Sequence, residues 1–410
     1  MMTSGEHFYK NEDLIESSWL EENFPGQIST DWEKYEFSSF DELLHSGDDG
    51  FLSALPGRST DANNGSMHHN LGPDVPFSSW IEEVNSFPSL KLILINKALI
   101  IPSDDRIFKG KRCFISEVRD STGRLVPESM ARMKELTISE AKVERLHKDA
   151  SNLKGTYLYG GKFWSHYGHF TIETLSTLWP YSFYNLNARK IKPIYSVENI
   201  KTGIKLGYIT EALNRCGIAK EDVSFAIEPV IVERLIIAIP SARIHSDQNN
   251  YIHPTQKQVW SSIAKNQKSE PKKKFYFSRR LYRERNLEKR PLAGEEDLEK
   301  LFRSNDFEII HPEKLLFHEQ LELFKQAKVI AGPIGSNLLN SAYASDHISL
   351  VAFSPISIIS RTQIMLSDIK HLHNYFFFSF DEHILHDSQD SWSINLQDLE
   401  DFLKKHDIIK

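Results

Sequence analysis

A regular alternation of short apolar runs and amphipathic stretches in the last third of the chain restricts the fold more than any other feature. The apolar runs lie at residues 274–278, 307–311, 328–332, 348–353 and 374–380. Helical patterns separate these runs, as expected for parallel strands, because a crossover helix must cover the sheet between two strands that point the same way. The sequence therefore predicts an α/β Rossmann-like domain over residues 274–390.

Residues 89–240 show the same alternation in a less regular form. Apolar runs lie at residues 90–101, 111–118, 157–160, 193–197 and 230–240. Helical patterns lie at residues 129–150, 169–184 and 203–216. The first two apolar runs flank a short polar turn and predict an antiparallel pair, whereas the later ones predict parallel strands. We interpret this region as a second Rossmann-like domain.

A chain of 410 residues exceeds the usual size of one compact domain, so two domains are expected. Three further segments complete the organisation. Residues 1–88 hold many Ser, Asn, Asp and Gly residues and predict a loop-rich extension. Residues 241–273, with a predicted helix at residues 254–267 followed by a charged run, predict a linker. Residues 391–410 predict an amphipathic helix that can cross back to the first domain.

The charge and the cysteine content argue against several classes of function. A formal net charge of −7 disfavours nucleic-acid binding, because backbone phosphates attract basic surfaces. The two cysteines, Cys113 and Cys216, lie far apart in the sequence. Such a pair makes neither a disulfide framework nor a cysteine metal centre, so a reducing compartment is expected.

The distribution of apolar residues argues against a membrane-spanning chain. The N-terminal residues include acidic side chains and no apolar run, unlike a secretory signal. The most apolar stretches, residues 90–101 and 230–240, have about a dozen residues each, and a helix needs roughly 20 to span a bilayer. We therefore expect a cytoplasmic protein. Peripheral association with the inner face of a membrane is compatible with this expectation.

Open α/β sheets bind ligands beyond the carboxyl ends of their strands, and three such ends carry suitable side chains here. Ser278, Arg279 and Arg280 directly follow the run at residues 274–278. A guanidinium at this position can hold a diphosphate through two parallel hydrogen bonds. The alternative is a solvated basic patch that continues the basic linker.

The second strand end is a loop with two glycines. Gly332, Gly335, Ser336 and Asn337 connect an apolar run to a predicted helix at residues 336–344. The glycines let backbone amides approach a ligand, and a helix N-terminus attracts an anion. The loop lacks the GxGxxG spacing and the Walker lysine, so a plain tight turn is equally compatible with it.

The third strand end is followed by Glu319 and Gln320, which lie early in a predicted helix at residues 315–327. Both side chains can hydrogen-bond a ribose or a sugar hydroxyl. Glu319 can instead act only on the helix itself, because a negative charge stabilises a helix N-terminus. The sequence leaves both interpretations open.

In the first domain, a glycine-rich and aromatic loop leads into a helix that carries His169 and Glu173. Their spacing of four residues places both side chains on one helix face. Either one can take a proton from a hydroxyl group, and a histidine suits this role because imidazoles titrate near neutral pH. The alternative is a histidine that only caps the helix or packs in the core.

Taken together, these segments resemble glycosyltransferase family 61, which includes bacterial capsular-polysaccharide biosynthesis proteins and eukaryotic enzymes that add xylose or N-acetylglucosamine. The residues that match the family pattern are Arg279, Arg280, Arg290, Glu295, Phe317, Glu319, Gln320, Gly332, Gly335, Ser336, Asn337 and Asn340, with Tyr167, Gly168, His169 and Glu173 in the first domain. The sequence departs from the family at two positions. Ile334 stands where the family has histidine, and Gly294 stands where it has asparagine.

The resemblance implies a GT-B-like architecture, in which two Rossmann-like domains face each other across a cleft. It implies an inverting hexosyl- or pentosyltransferase that needs no metal or other cofactor, with His169 or Glu173 as the catalytic base. The implied donor-binding residues are Arg279, Arg280, Arg290, Glu319, Gln320, Gly332, Gly335, Ser336 and Asn337. The donor is a nucleotide sugar, with a UDP-sugar favoured, and the acceptor is a glycan or a lipid-linked glycan in capsule or other cell-surface polysaccharide synthesis.

Two other functions compete with this interpretation. The departures at Ile334 and Gly294 are compatible with a catalytically inactive binding subunit of a polysaccharide assembly complex. An NAD-dependent enzyme is the third possibility, but no GxGxxG follows a predicted strand.

Overall fold

The chain forms two compact units, one of residues 1–59 with 86–259 and one of residues 60–85 with 260–410. The computed structural model describes residues 14–16, 27–57, 67–71, 87–108, 111–130, 136–197, 207–244, 250–265, 270–281, 291–355, 360–379 and 390–410.

The described strands are numbered along the chain. They are β1 (Leu14–Glu16), β2 (Gly50–Leu55), β3 (Met67–Leu71), β4 (Leu90–Phe108), β5 (Lys111–Arg119), β6 (Leu125–Val126), β7 (Leu136–Ile138), β8 (Ser151–Lys162), β9 (Lys192–Ser196), β10 (Ser224–Ala226), β11 (Val230–Ala238), β12 (Ala242–Arg243), β13 (Tyr251–Ile252), β14 (Lys273–Phe277), β15 (Glu308–Ile310), β16 (Ala327–Pro333), β17 (Ser349–Pro355) and β18 (His373–Ser379).

The described α-helices are numbered in the same way. They are α1 (Phe40–His45), α2 (Glu140–Asp149), α3 (Tyr167–Ile172), α4 (Trp179–Tyr184), α5 (Gly207–Arg215), α6 (Gln256–Ala264), α7 (Glu295–Ser304), α8 (Phe317–Gln326), α9 (Arg361–Ile369) and α10 (Leu396–Lys405). Short 3-10 helices lie at Asp31–Lys34, Pro127–Ser129, Thr174–Thr177, Lys220–Asp222, Pro312–Lys314 and Leu338–Tyr343.

The first unit is built on a mixed sheet with the strand order β10-β9-β8-β11-β4-β5-β6, and β2 also pairs with β4. Strands β8 to β11 run parallel, whereas β4 is antiparallel to both β11 and β5. The predicted antiparallel pair at residues 90–101 and 111–118 is therefore confirmed. Side chains of β4 from Leu92 to Ile95 are fully buried, as expected for a strand that is covered on both faces.

The order of the parallel strands in the first sheet reverses at β8. Strands β9 and β10 follow β8 on one side, and the chain then returns to place β11 on the other side. Loops that leave the sheet at such a reversal diverge to opposite faces and leave a crevice at the carboxyl ends of the two central strands. In the first unit this position lies between the ends of β8 and β11.

The second unit contains a fully parallel sheet with the order β15-β14-β16-β17-β18-β3. The five strands predicted between residues 274 and 380 are all present, which confirms the α/β prediction for this region. The sixth strand, β3, comes from the segment 1–88 that was predicted to be loop-rich. It lies at the edge of the sheet, where a strand needs neither two buried faces nor a continuous apolar run.

Helices cover both faces of the second sheet. Tyr276 and Phe277 are neighbours in β14, so their side chains point to opposite faces. The ring of Tyr276 stacks on Phe302 of α7, with centroids 4.7 Å apart, and the ring of Phe277 stacks on Phe324 of α8 at the same distance. The helices that precede and follow β15 therefore lie on opposite faces, so the reversal in strand order falls between β14 and β16.

Two predicted helices of the first unit are shorter than expected. The pattern at residues 129–150 yields only α2, because Leu136–Ile138 pairs with β1 as an antiparallel strand. The pattern at residues 169–184 is split into α3, a 3-10 turn and α4. Pro180 lies in the first turn of α4, where its missing amide proton is tolerated, and it prevents one continuous helix.

The C-terminal helix α10 packs in the core of the second unit. For residues 391–410 the sequence left open a crossing to the first unit, but Leu399, Phe402 and Leu403 pack with Tyr375 and Phe377 of β18. Asn395 caps the helix, since its side chain accepts the amide hydrogens of residues 397 and 398 at 3.0 and 3.2 Å.

No helix in the described part of the chain is long and apolar enough to cross a bilayer.

The substitution Leu399→Ala should lower the free energy of unfolding by about 3 kcal/mol, because it removes a fully buried side chain and leaves a cavity. Urea denaturation followed by tryptophan fluorescence measures this change. The exposed Lys405 of the same helix is the matched control, and Lys405→Ala should change the free energy by less than about 0.5 kcal/mol. Equal stability of the two variants would contradict this packing of α10.

Candidate functional site

The loops after β14 and β16 meet at the reversal in the second sheet. Arg279 follows β14 directly, and Gly335 lies in the loop after β16. A Cβ atom placed on Gly335 would lie 3.7 Å from Nη1 of Arg279 and 3.4 Å from Oδ1 of Asn337. The structure therefore brings the first two predicted strand ends together, with the guanidinium of Arg279 over the glycine loop.

The loop after β16 presents hydrogen-bond donors beside this guanidinium. In the part of the chain that the structure describes, the backbone amides of Gly335, Ser336 and Asn337 donate to no acceptor. The Nδ2 atom of Asn337 is buried and has no hydrogen-bond partner among the same residues. Unused donors next to a guanidinium cation form an environment that favours an anion with several acceptor oxygens.

Gly332 has a different role from Gly335. A Cβ atom at Gly332 would lie 2.7 Å from the carbonyl oxygen of Phe277, so only glycine allows the end of β16 to approach β14 this closely. Ile334 continues the chain with its amide donating to the Phe353 carbonyl at 2.8 Å, and its side chain is buried.

The prediction of an α-helix at residues 336–344 is wrong. The segment forms the 3-10 helix Leu338–Tyr343, and Asn337 at its N-terminus makes no capping hydrogen bond with its side chain. A short 3-10 helix has a weak dipole, because few peptide units are aligned in it. Attraction of an anion to this loop therefore depends on Arg279 and on the free amides rather than on a helix dipole.

Two buried carboxylates of α7 hold the loop after β14. Glu295 accepts the backbone amide of Arg279 at 2.8 Å, and Glu299 accepts the Ser278 hydroxyl at 2.7 Å and Nε of Arg280 at 3.1 Å. Burial alone would raise the pKa of Glu299, but the hydrogen bonds from Arg280 and Ser278 outweigh it and hold the pKa below its ordinary value. Arg280 is therefore tied to the protein by an ion pair.

Glu299 was missed by the sequence analysis. The sequence spacing could have identified it, because Glu299 follows Glu295 by four residues on an amphipathic helix. This spacing places both carboxylates on one face.

Glu319 and Gln320 form hydrogen bonds within the protein. The Glu319 carboxylate accepts the amide of Leu316 at 2.7 Å and so caps α8. The Gln320 side chain donates to the Pro312 carbonyl at 3.1 Å and accepts from Nδ2 of Asn340 at 3.0 Å. Both residues support the segment behind the glycine loop, and their contact with a donor stays a prediction. Arg290 lies outside the described residues.

The first unit has its own candidate site, at the ends of β8 and β11. A pocket of about 40 Å³ lies there and is lined by Lys162, Trp164 and Glu173 among others. The Glu173 carboxylate accepts a hydrogen bond from Nδ1 of His169, and Nζ of Lys162 lies 4.5 Å from the centre of the Trp164 ring. The His169 ring lies 5.2 Å from that of Trp164. His169 and Glu173, the two predicted candidates for the catalytic base, therefore lie near the reversal of this sheet.

The contact between His169 and Glu173 assigns different roles to the two side chains. A carboxylate can only accept a hydrogen bond, so Nδ1 of His169 is the donor to Glu173, and in a neutral imidazole with this arrangement the lone pair is on Nε2. The His169 side chain is 28% exposed and that of Glu173 is 9% exposed, so the imidazole is the more accessible group. Glu173 is placed to orient the imidazole.

No group of three or more His, Cys, Asp or Glu side chains that could hold one metal ion occurs among the described residues.

A parallel sheet with a cation and free amides at its reversal is typical of α/β proteins that bind phosphorylated ligands. The family described as Glycosyltransferase 61 matches residues 167–351, which is somewhat less than half of the chain and includes His169, Glu173, Arg279 and the loop at residues 332–337. This match supports family 61 and a glycosyltransferase. No curated protein matches the chain.

The substitution Glu299→Ala should lower the free energy of unfolding by about 2 kcal/mol at pH 7, because it leaves the Ser278 hydroxyl and the Arg280 guanidinium without their acceptor. The lowered pKa means that this contribution exists while Glu299 is ionised. It should disappear as the pH falls below ~4.3, where the unfolded carboxyl takes up a proton first.

Urea denaturation at pH 7 and pH 3 measures this difference. The exposed Glu296 of the same helix serves as the control, and Glu296→Ala should have little effect at either pH. A penalty for Glu299→Ala that does not depend on pH would contradict the charged interaction.

Proposed function

We propose that the protein transfers a sugar from a nucleotide-sugar donor to a hydroxyl group of a glycan acceptor, with inversion and without a metal ion. The observation that carries the proposal is the guanidinium of Arg279 over the Gly335 loop, whose amides and Asn337 side chain offer unused donors. The proposal includes a GT-B arrangement, in which two Rossmann-like domains face each other across a cleft.

The site in the second unit suits the leaving group of such a reaction. A nucleoside diphosphate develops negative charge as the bond to the sugar breaks, and fixed donors stabilise this charge without rearranging. The backbone of Arg279 is held by the bond from its amide to Glu295, so the point from which its side chain starts is fixed. A UDP-sugar is the favoured donor.

The site in the first unit suits activation of the acceptor. Nε2 of His169 takes the proton of a hydroxyl group while the oxygen attacks the anomeric carbon. Glu173 keeps Nδ1 protonated and stabilises the imidazolium that forms, as the carboxylate does in a Ser-His-Asp triad. The acceptor is a glycan or a lipid-linked glycan in capsule or other cell-surface polysaccharide synthesis, at the cytoplasmic face of the membrane.

The substitution Arg279→Ala should weaken binding of UDP about 10- to 100-fold, because charge-assisted hydrogen bonds contribute about 1.5–3 kcal/mol. Calorimetry with UDP and other nucleoside diphosphates measures this change. Arg303 lies on the exposed surface of the same unit, and Arg303→Ala should leave the affinity unchanged. If wild type binds none of the nucleotides, the donor assignment is wrong.

The substitution His169→Ala should lower kcat by about 10²–10⁴-fold with little change in the KM of the donor, because a general base acts mainly in the transition state. Glu173→Gln should have a smaller effect in the same direction. The measurement is sugar transfer to glycan acceptors with a chelator present, which the metal-free reaction tolerates. His45→Ala, an exposed position in the same unit, is the control. Full activity of His169→Ala would exclude this base.

A second candidate function is favoured by Ile334. The side chain at the position of the family histidine is buried, and it brings no polar group to the donor site. A non-catalytic binding subunit would bind nucleotide through Arg279 and show neither transfer nor hydrolysis. The calorimetric and kinetic measurements together therefore separate the two functions.

A further inference from the structure

Two segments that no sequence motif singled out also line the first-unit pocket. Glu128 lies in the 3-10 helix Pro127–Ser129 that follows β6, and Arg243 lies in β12. The long hairpin of β4 and β5 brings the first segment to the ends of β8 and β11, and the chain leaving β11 brings the second. All the residues that line this pocket belong to the first unit.

Glu128 is held rigidly, but one of its carboxyl oxygens is unused. The neighbouring Ser129 hydroxyl donates to the Val126 carbonyl at 2.6 Å and accepts the Val118 amide at 2.8 Å, which fixes the turn. Oε2 of Glu128 is buried and has no hydrogen-bond partner in the described part of the chain. Buried polar atoms of this kind normally find a partner in water or a ligand.

Arg243 shows the same combination of a fixed backbone and an unused polar atom. It pairs with Tyr251 of β13, and the Tyr251 hydroxyl donates to the Pro240 carbonyl at 2.8 Å. Among the described residues, the buried Nε atom of Arg243 has no hydrogen-bond partner. The lining of the pocket therefore includes one residue with an unused acceptor and one with an unused donor.

The charges in the pocket indicate the class of ligand. Two carboxylates, Glu128 and Glu173, balance two cations, Lys162 and Arg243. Because the two signs balance, the pocket has no net charge to attract an acidic or a basic ligand, and a neutral molecule with several hydroxyl groups fits it better. The small volume suits the hydroxyl-bearing edge of one sugar ring, while Trp164 and Pro240 supply apolar walls.

We propose that Glu128 and Arg243 bind hydroxyl groups of a neutral sugar ring of the acceptor and so determine which acceptor presents a hydroxyl to His169. This inference rests on the proposed function, because it assigns the acceptor side of that reaction. Glu128 accepts a hydrogen bond from one hydroxyl, and Nε of Arg243 donates to another.

The buried Glu128 carboxylate should also make the free energy of unfolding depend on pH. Burial raises the pKa of Glu128, Glu33 raises it further, and the residue's own amide, Lys91 and Arg243 lower it. A folded pKa above the unfolded value destabilises the protein as the pH rises beyond ~4.3. Glu128→Gln removes the charge at nearly constant shape, so this variant should be more stable than wild type at pH 8 and equally stable at pH 4.

The binding test uses methyl glycosides of neutral hexoses, N-acetylhexosamines and xylose, with methyl glucuronide as the acidic counterpart. Their dissociation constants are measured by NMR titration of wild type, Glu128→Gln, Arg243→Gln and the exposed control Glu144→Gln. UDP binding is measured on the same samples, so loss of the donor function is recorded separately from loss of acceptor recognition.

We expect at least one neutral glycoside to bind wild type and Glu144→Gln equally. Loss of a hydrogen bond should weaken its binding about tenfold in Glu128→Gln and in Arg243→Gln, with UDP binding unchanged. The acidic glycoside should bind wild type more weakly than its neutral counterpart. The inference is overturned if no neutral glycoside binds wild type, if Glu128→Gln binds it like wild type, or if the acidic glycoside binds more tightly.

Discussion

The reversal of strand order among the parallel strands of each sheet is the constraint on which both candidate sites depend. A parallel strand needs a crossover to its neighbour, and right-handed crossovers to the left and to the right of a central strand must use opposite faces. The stacking of Tyr276 on α7 and of Phe277 on α8 shows this directly. The loops at the reversal cannot cover the strand ends, so the crevice there is a consequence of the topology rather than of any particular side chain.

The polar side chains at the second reversal are organised by buried carboxylates. Glu295 and Glu299 lie on the inner face of α7, whose apolar residues Leu298 and Phe302 pack in the core. The same helix therefore anchors the hydrophobic core and fixes the backbone at Ser278 and Arg279. Because both functions reside on one short helix, movement of α7 would change the position of the guanidinium and the packing of the sheet together.

The sequence predicted the parts of the fold that are visible in local patterns. The strands from β14 to β18 are short apolar runs and were located to within a residue or two. All but the edge strand β15 consist mostly of buried residues, as expected for parallel strands that are covered on both faces. Strand β3 was missed because an edge strand has no such requirement. The helix expected after Ser336 was wrong because 3-10 and α-helical patterns do not differ over six residues. The roles of Glu319 and Gln320 depend on partners at Leu316, Pro312 and Asn340, which no periodicity reveals.

The first-unit pocket contains residues that a sequence pattern can locate and residues that it cannot, for a physical reason. His169 and Glu173 were found because both lie in one helical turn, so their proximity is a local property. Glu128 and Arg243 are distant in the sequence and reach the same pocket only through the register of β4, β5 and β11. A buried carboxyl oxygen without a partner disfavours folding, and such an atom in a pocket beside Glu173 is accounted for when a ligand completes its hydrogen bonds. The same atom makes the pocket selective for a ligand with a hydroxyl group at this position. A ligand without that hydroxyl would leave the carboxylate buried and unsatisfied.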